Sequence, residues 1–352
     1  MRRVKIGSRF VGKYDPCLVI VDAGVNHNND PERAKDLIRK AAAAGADVVK
    51  FQTYKADTIT TKTAPRYWDS RLDTDGGGTQ YDTFARIDDL PKEAYFELKR
   101  LCDELGVVFS STPFSLADVT FLRDLDIDVF KVSSSDVTYL RLVREVACCG
   151  KPVILSTGTA SVGEVEEAVA AIRAEGNEDI ILQHCILSYP CRDEDANLSK
   201  MIKLQEIFEE LPVGYSDHTL GAIIPTAAVA MGARTIEKHY TVDKSLPDSP
   251  DHSLSVDPDE LRRMIVDIRR VEQSKGVFHN GFYEAERKAY MYARKSVVAL
   301  TVIPAGTLIT ADMLTCKRPG TGISPKLFDV VVGGRARVDI EADTNITFDM
   351  IR

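Results

Sequence analysis

No apolar stretch in the 352 residues approaches the ~18–20 residues that a membrane-spanning helix requires, so insertion into a bilayer is not expected. The N-terminus, Met1–Arg2–Arg3–Val4–Lys5, is basic but runs into polar Gly7, Ser8 and Arg9. It lacks the apolar core and small-residue cleavage site of a secretory leader, which predicts a cytoplasmic location. The seven cysteines are an odd set without zinc-type spacing, and Cys17, Cys102, Cys148, Cys149 and Cys185 sit inside apolar patterns. They read as reduced core thiols, not as a disulfide framework. Basic charge is in deficit, with 45 Lys and Arg against 53 Asp and Glu and a net charge of −8. That balance argues against a nucleic-acid-binding surface, and any anion site must be argued from position. The first β-branched run leads into Asp22–Ala23–Gly24–Val25–Asn26–His27, which is not the Gly-rich phosphate turn of a dinucleotide fold.

What is present is a repeated alternation. Short β-branched runs occur at Leu18–Gly24, Asp47–Tyr54, Val107–Phe114, Val129–Ser134, Pro152–Gly158, Asp179–Ile186, Pro212–His218 and Arg234–Thr241. Between them lie amphipathic segments such as Pro31–Ala44, Lys92–Leu105, Leu140–Cys149, Val162–Glu175, Leu198–Glu210 and Gly221–Met231, the first opened by the helix-start signal Asn29–Asp30–Pro31. Eight β–α units predict a closed parallel (β/α)8 TIM barrel over residues 1–280, with an open doubly wound sheet as the rival. The connection Lys55–Leu90, with Trp68, Gly76–Gly77–Gly78 and Tyr81, is too long for a plain βα loop and reads as a lid. After a poorly periodic linker, 281–294, dense turn punctuation in 295–352 predicts a compact β-rich domain.

In a parallel barrel every strand's C-terminal end faces one mouth, so polar residues there share a destination. The strands end in Asp22 and Asn26–His27, in Lys50 and Gln52, in Lys131 and Ser133–Ser134–Ser135–Asp136, in Ser156–Thr157–Gly158, in His184 and Tyr189, in Ser216–Asp217–His218, and in Glu237–Lys238–His239. Of six histidines, His218, His239 and His252 fall within 35 residues, beside Asp217, Glu237 and Asp251. Two imidazoles from separate strands suit a divalent metal with carboxylate and water completing the shell. Alternatively, each histidine simply hydrogen-bonds in the core. Lys50 and Lys131 interrupt apolar runs, and a buried ammonium needs an anion. That anion is a small phosphate or carboxylate ligand, or else Asp22, Asp47 or Glu237 in a structural ion pair.

Several motifs follow one another in a fixed order: Gly24–Val25–Asn26–His27, Val49–Lys50–Phe51–Gln52–Thr53, Phe130–Lys131–Val132–Ser133–Ser134, Ser156–Thr157–Gly158, Tyr215–Ser216–Asp217–His218–Thr219, Ile236–Glu237–Lys238–His239 and Pro250–Asp251–His252. With Lys317–Arg318–Pro319–Gly320–Thr321–Gly322–Ile323 near the C-terminus, the whole chain resembles the sialic acid synthases, a group that includes legionaminic and pseudaminic acid synthases. The resemblance implies a barrel followed by an antifreeze-like SAF domain. It also implies condensation of phosphoenolpyruvate with an N-acylated aminohexose, either N-acetylmannosamine or a 2,4-diacetamido-6-deoxyhexose, to a nine-carbon 2-keto sugar acid and phosphate. By the same resemblance His218 and His239 hold a divalent ion, manganese with magnesium or cobalt as alternatives. Lys50, Lys131, Ser134, Ser156 and Ser216 match the phosphoenolpyruvate site, with Gln52 and Tyr189 lining it or the sugar pocket, Glu237 beside them and Asp251 on sugar hydroxyls. Arg318 matches an arginine that one subunit inserts into its mate's barrel, implying a domain-swapped homodimer.

The chain departs from the pattern at Asp22 and Asp136, where glutamates are usual, and at Leu187, where an asparagine is usual. The shorter carboxylates are the candidate acid and base of the reaction, about one methylene shorter in reach. Two other functions fit parts of the sequence. Either buried lysine could form a Schiff base with a keto acid, as in lysine-dependent aldolases, and the chain could be a non-catalytic carbohydrate-binding protein.

Overall fold

The computed structural model describes residues 1–68, 77–88, 90–247 and 249–352. The chain divides into two compact units, Met1–Gly276 and Val277–Arg352.

The first unit opens with a hairpin of β1 (Val4–Ile6) and β2 (Arg9–Val11). Eight strands follow: β3 (Leu18–Gly24), β4 (Val48–Thr53), β5 (Val108–Pro113), β6 (Val129–Val132), β7 (Val153–Ser156), β8 (Ile180–Cys185), β9 (Val213–Asp217) and β10 (Thr235–His239). Each pairs in parallel with its neighbours and β10 returns to β3, closing the barrel. The helices of the unit are α1 (Pro31–Ala44), α2 (Ala56–Ile59), α3 (Gln80–Ile87), α4 (Lys92–Leu105), α5 (Leu116–Asp124), α6 (Leu140–Cys148), α7 (Val162–Ala174), α8 (Leu198–Ile207), α9 (Ile223–Ala230) and α10 (Pro258–Lys275). The start signal before α1 works as its residue types require: the Asp30 carboxylate accepts from the N–H groups of Glu32 and Arg33, Pro31 occupies the first turn, and Gly45 ends the helix at φ 95°. No helix among the described residues is long and apolar enough to cross a membrane.

Strand periodicity sorts every side chain into one of two layers. Val19, Val21, Val49, Phe51, Phe109, Phe130, Leu155, Leu182, Tyr215 and Ile236 join the helices in one large buried cluster. The alternate positions face the barrel axis. There Leu18, Ile20, Val48, Val108, Val129, Ile154 and Ile181 form a separate apolar cluster with Val4, Ile6 and Val11 of the hairpin. Ahead of the first recognised strand run, the hairpin thus seals the bottom of the barrel. Above that plug the same inward register turns polar, and it is there that Asp22, Lys50, Lys131, Ser156, Ser216 and Glu237 are buried. Gly214 is required in this ring, because a Cβ there would strike the backbone and hydroxyl of Thr235. Its absence leaves room for Gln183 Nε2 to donate to Thr235 Oγ1 at 3.0 Å.

In the β4–α4 connection, residues 69–76 and 89 lie outside the described residues, so the expected lid and Gly76 fall partly there. Trp68 is buried, with its ring 5.8 Å from Phe84.

The second unit has its own apolar core of Val297, Ala299, Ile303, Ile309, Leu314, Ile323, Val331, Ala336, Ile340 and Ile346. Its strands β11 (Ser296–Ala299) and β12 (Leu314–Lys317) pair antiparallel, and isolated bridges such as Ile303–Ile340 and Ala336–Ile351 tie the turns together. Arg318 is exposed just past β12.

Candidate active site

The polar ring leads into a cavity of about 40 Å³ at the C-terminal end of the strands. Among the residues lining it are Asp22, Lys50, Gln52, Lys131, Ser134, Ser156, Tyr189, Ser216, His218, Glu237 and His239. Asp251 lines an adjoining cavity. Asp136 lines neither cavity: it ends a short 3-10 turn, Ser134–Asp136, where its carboxylate accepts from Ser135 Oγ at 3.2 Å. Ser133, expected at the end of the fourth strand, also lines the polar cavity, as do Thr112 and Cys185, which were not singled out from sequence as site residues. The inward parity of Thr112 on β5, shared with buried Ser110, was the available signal.

Charge at the site is closely matched. Lys50 Nζ lies 2.7 Å from Asp22 Oδ2 and 3.7 Å from Glu237 Oε1, and Lys131 Nζ lies 3.7 Å from the same Glu237 oxygen. Asp47, offered above as a third partner, instead meets Arg9 and Arg269 at 3.4 and 3.1 Å. Burial alone would lower Lys50, but Asp22 and Glu237 outweigh it and hold the ammonium above its ordinary pKa. Lys131 has only the more distant Glu237; burial dominates, Lys50 repels, and its pKa is lowered. Ser216 Oγ donates to Glu237 Oε1 at 3.4 Å, and Ser134 Oγ accepts from the Gly158 N–H at 3.0 Å. Asp22 Oδ1, Glu237 Oε2 and His239 Nδ1 are buried with no hydrogen-bond partner among the described residues. Orphaned buried polar atoms are costly unless something arrives to satisfy them, and three at one cavity mark a place built for a polar ligand.

The rings of His218 and His239 lie 5.3 Å apart, and Tyr189 stands 4.1 Å from the first and 5.8 Å from the second. His218 Nδ1 pairs with the Ile186 carbonyl at 2.7 Å, which leaves Nε2 as the ring nitrogen available to a ligand. Burial lowers His218, but Cys185 and that carbonyl raise it to about 9, whereas burial, with His218 and Lys50 nearby, pushes His239 down to about 4. His239 is therefore a neutral imidazole, the form that binds metals. Among the described residues no group of three or more His, Cys, Asp and Glu has metal-binding spacing. His239, neutral and with Asp251 Oδ2 3.5 Å from its Nδ1, fits a divalent ion as it stands, and His218 would join it on giving up its proton, with water or substrate completing the shell.

His252 has a different task. Its Nδ1 pairs with Thr241 Oγ1 at 2.8 Å and its Nε2 with Asn28 Oδ1 at 2.9 Å. Asn26 and Ser249 are linked at 2.7 Å, and Ser255 Oγ donates to the Asp251 carbonyl at 2.6 Å. This web fixes the loop that presents Asp251. The plain core role foreseen for single histidines also holds for His27, whose Nδ1 accepts from the Asn29 N–H, and for His184, paired with the Ala196 carbonyl.

Comparison with known proteins agrees with the motif order. Residues 37–280 match the NeuB family and residues 294–352 the SAF domain. An uncharacterized protein of Methanocaldococcus jannaschii is 40% identical, with 99% of this chain and 98% of that protein covered. The N,N'-diacetyllegionaminic acid synthase of Legionella pneumophila is 37% identical, with 97% and 96% covered. The crystal structure of the N-acetylneuraminic acid synthetase from Leptospira borgpetersenii, in complex with citrate, superposes with a TM-score of 0.72 at 32% identity, covering 82% of this chain and 94% of that one. With its eight-stranded barrel, its polar mouth and its C-terminal module matched in order, the chain belongs to the NeuB family of sialic-acid-type synthases and ends in a SAF domain.

Proposed function

We propose that the barrel condenses phosphoenolpyruvate with an N-acylated aminohexose, releasing phosphate and a nine-carbon 2-keto sugar acid. The observation that carries this reading is the meeting of two buried lysines, several serine hydroxyls and two imidazoles at one cavity on the C-terminal face of the barrel. Relatives named as legionaminic, pseudaminic and N-acetylneuraminate-9-phosphate synthases support it.

Lys50 and Lys131 hold the phosphate and carboxylate of phosphoenolpyruvate as point charges, with Ser134, Ser156 and Ser216 supplying hydrogen bonds. When this substrate, with its carboxylate and phosphate charges, enters, Lys131 recovers the counter-charge it lacks in the free site. Gln52, Tyr189 and Asp251 orient the sugar. Bond formation joins the methylene carbon of phosphoenolpyruvate to the aldehyde carbon, whose oxygen takes up a proton; water adds at the adjacent phosphate-bearing carbon, and loss of its protons with departure of phosphate leaves the ketone. Asp22, at the cavity, is the carboxyl placed to exchange a proton with the substrate directly; Asp136, which burial pushes up to about 6, lines neither cavity and would act through a bridging water. A divalent ion, manganese in our reading, would be held by His218 and His239, and when bound it would polarise the aldehyde as a Lewis acid. A domain-swapped homodimer would bring Arg318 to a partner's barrel. The exposed Phe278, Tyr283 and Tyr292 support such an assembly as apolar surface awaiting cover.

The test is phosphate release from phosphoenolpyruvate with manganese. Release that requires an N-acylated aminohexose and stops with a chelator or with His239→Ala upholds the reading; release without sugar, or undiminished in that variant, refutes it. One observation favours a second chemistry, since a buried lysine of lowered pKa such as Lys131 suits an amine nucleophile. Borohydride reduction in the presence of pyruvate decides between them: a covalent adduct on Lys131 selects the Schiff base, and an unmodified chain selects the condensation.

A further inference from the structure

Resting on that reading, we infer that Asp136 is wired to the reaction by two serine hydroxyls, Ser133 and Ser135, which relay a proton between its carboxylate and the wall that the two cavities share. Asp136 closes the 3-10 turn Ser134–Asp136 after β6 and lines neither cavity. Ser133 lines both, the polar one and its largely apolar neighbour of about 180 Å³, where Tyr54, Trp68, Phe84 and Phe114 form part of the wall. Ser135 lines the second alone. A continuous line of oxygens joins them. Ser135 Oγ donates to Asp136 Oδ2 at 3.2 Å, and Ser133 Oγ stands 3.0 Å from Ser135 Oγ. The backbone holds the line in place, because the Asp136 N–H donates to the Ser133 carbonyl at 3.0 Å and the Tyr139 N–H to the Asp136 carbonyl at 2.9 Å. Ser134, between the two, is engaged elsewhere: its Oγ takes the Gly158 N–H, and of the two cavities it lines only the polar one.

The far end of the line fixes its direction. An ionised carboxylate only accepts, and a hydroxyl has one proton to give. Ser135 gives its proton to Asp136, so the hydrogen bond between the serines uses the proton of Ser133, and both O–H bonds point away from the cavity. Ser133 Oγ takes the Ser135 N–H at 3.4 Å with one lone pair and keeps the other for a proton that arrives from the cavity. The step that releases such a proton is the addition of water at the phosphate-bearing carbon of phosphoenolpyruvate. A water held at Ser133 gives its proton to Ser133 Oγ, the proton of Ser133 passes to Ser135 Oγ, and that of Ser135 bonds to Asp136 Oδ2. One O–H bond forms for each that breaks, both serines end as neutral hydroxyls, and the neutral Asp136 carboxyl later returns its proton to solvent. Burial raises Asp136 to about 6 against the downward pull of Ser135 and the Lys131 ammonium, so near neutrality it is ionised between turnovers and binds a proton readily.

Val and Thr have one shape at position 135, and only Thr keeps the hydroxyl. Ser135 is exposed, so both substitutions leave the packing intact. Phosphate release from phosphoenolpyruvate with manganese and N-acetylmannosamine or a 2,4-diacetamido-6-deoxyhexose gives kcat and KM for each variant. Carbon-13 NMR of the Asp136 carboxyl, assigned with Asp136→Asn, gives its titration in the substrate-free enzyme. Ser135→Val is expected to lower kcat by ~10–100-fold, toward the lower end of what a positioned proton-transfer group supplies, with the KM for phosphoenolpyruvate unchanged, and Ser135→Thr to keep most of the activity. Loss of a donor to its charged form should raise the pKa of Asp136 in Ser135→Val and not in Ser135→Thr. Equal kcat in the two variants overturns the relay and leaves the synthase reading standing. If the unmodified enzyme releases no phosphate with either sugar, the synthase reading falls and the titration decides the wiring alone: a pKa raised only in Ser135→Val upholds the hydrogen-bonded line, and one that is the same in both variants overturns it.

Discussion

Asp217 and Lys238 offer a sharp test of how the metal-side strands are held. Both side chains are fully buried, with Nζ 2.7 Å from Oδ2, and Lys238 Nζ also donates to the Thr219 carbonyl. Asp217 in turn accepts from the Thr219 N–H at 3.0 Å and the Thr219 hydroxyl at 3.1 Å. By strand parity the pair shares the outward side of Tyr215 and Ile236, under the helices, and so lies outside the cavity that Glu237 and His239 face. Replacing Asp217 by Ala strands a buried ammonium and frees two donors of Thr219, which costs roughly 3–5 kcal/mol. Lys238→Met leaves the carboxylate with its Thr219 bonds, so about 1–3 kcal/mol is expected. The double variant has no buried charge and should recover at least ~1.5 kcal/mol of the summed loss. Trp68 is the single tryptophan and lies in the barrel unit, so its fluorescence during urea unfolding follows that unit alone. At ~2–4 °C per kcal/mol, the melting point of Asp217→Ala should fall by roughly 6–20 °C. Strictly additive losses, with coupling under ~0.5 kcal/mol, would refute the claim that the two charges stabilise each other.

Other consequences are as direct. Gly214→Ala drives a methyl into Thr235 and should cost at least ~3 kcal/mol or abolish folding, read from soluble yield and urea midpoint. Burial holds Asp136 near 6 instead of 3.8, so the folded chain keeps its proton more tightly than the unfolded one, and stability should fall as pH rises from about 4 through about 6. At full strength the change is about 3 kcal/mol, and about 1–2 once solvent access to this half-buried turn is allowed for; Asp136→Asn should remove the slope, and an unchanged slope refutes the assignment. Lys131→Ala should raise the KM for phosphoenolpyruvate by at least ~10–100-fold, corresponding to ~1.5–3 kcal/mol of charge-assisted bonding; an unaltered KM would remove it from the binding site. Calorimetric manganese binding should weaken by at least tenfold in His218→Ala, whereas His252→Ala should instead lower the melting point.

Much of this was legible in advance because the barrel is built from local periodicity. Eight β-branched runs matched the eight strands, and most of the polar residues at their ends reach the common mouth once the barrel closes, whereas His184, Asp217 and Lys238 do not. Inward parity explains why Lys50, Lys131, Glu237 and His239 converge although they are remote in sequence. Lys238 and His252 were less transparent. Lys238 is one residue from Glu237, but that step carries it to the opposite face of β10, where its partner comes from β9. His252 sits in a histidine-rich stretch, but its ring is claimed by Thr241 and Asn28. The hairpin β1–β2 was missed because three-residue strands are too short to show a period, and its role depends on the apolar floor of a barrel that closes later in the chain. The sequence by itself determined the barrel and its two-layer sorting, both set by periods of two and 3.6 residues along the chain. Only the tertiary structure decided which buried charges face the cavity and which brace the wall, and it alone gathered Tyr54, Trp68, Phe84 and Phe114 from a long connection and two strand ends into one apolar chamber. Those outcomes depend on contacts between distant segments, which no local pattern encodes.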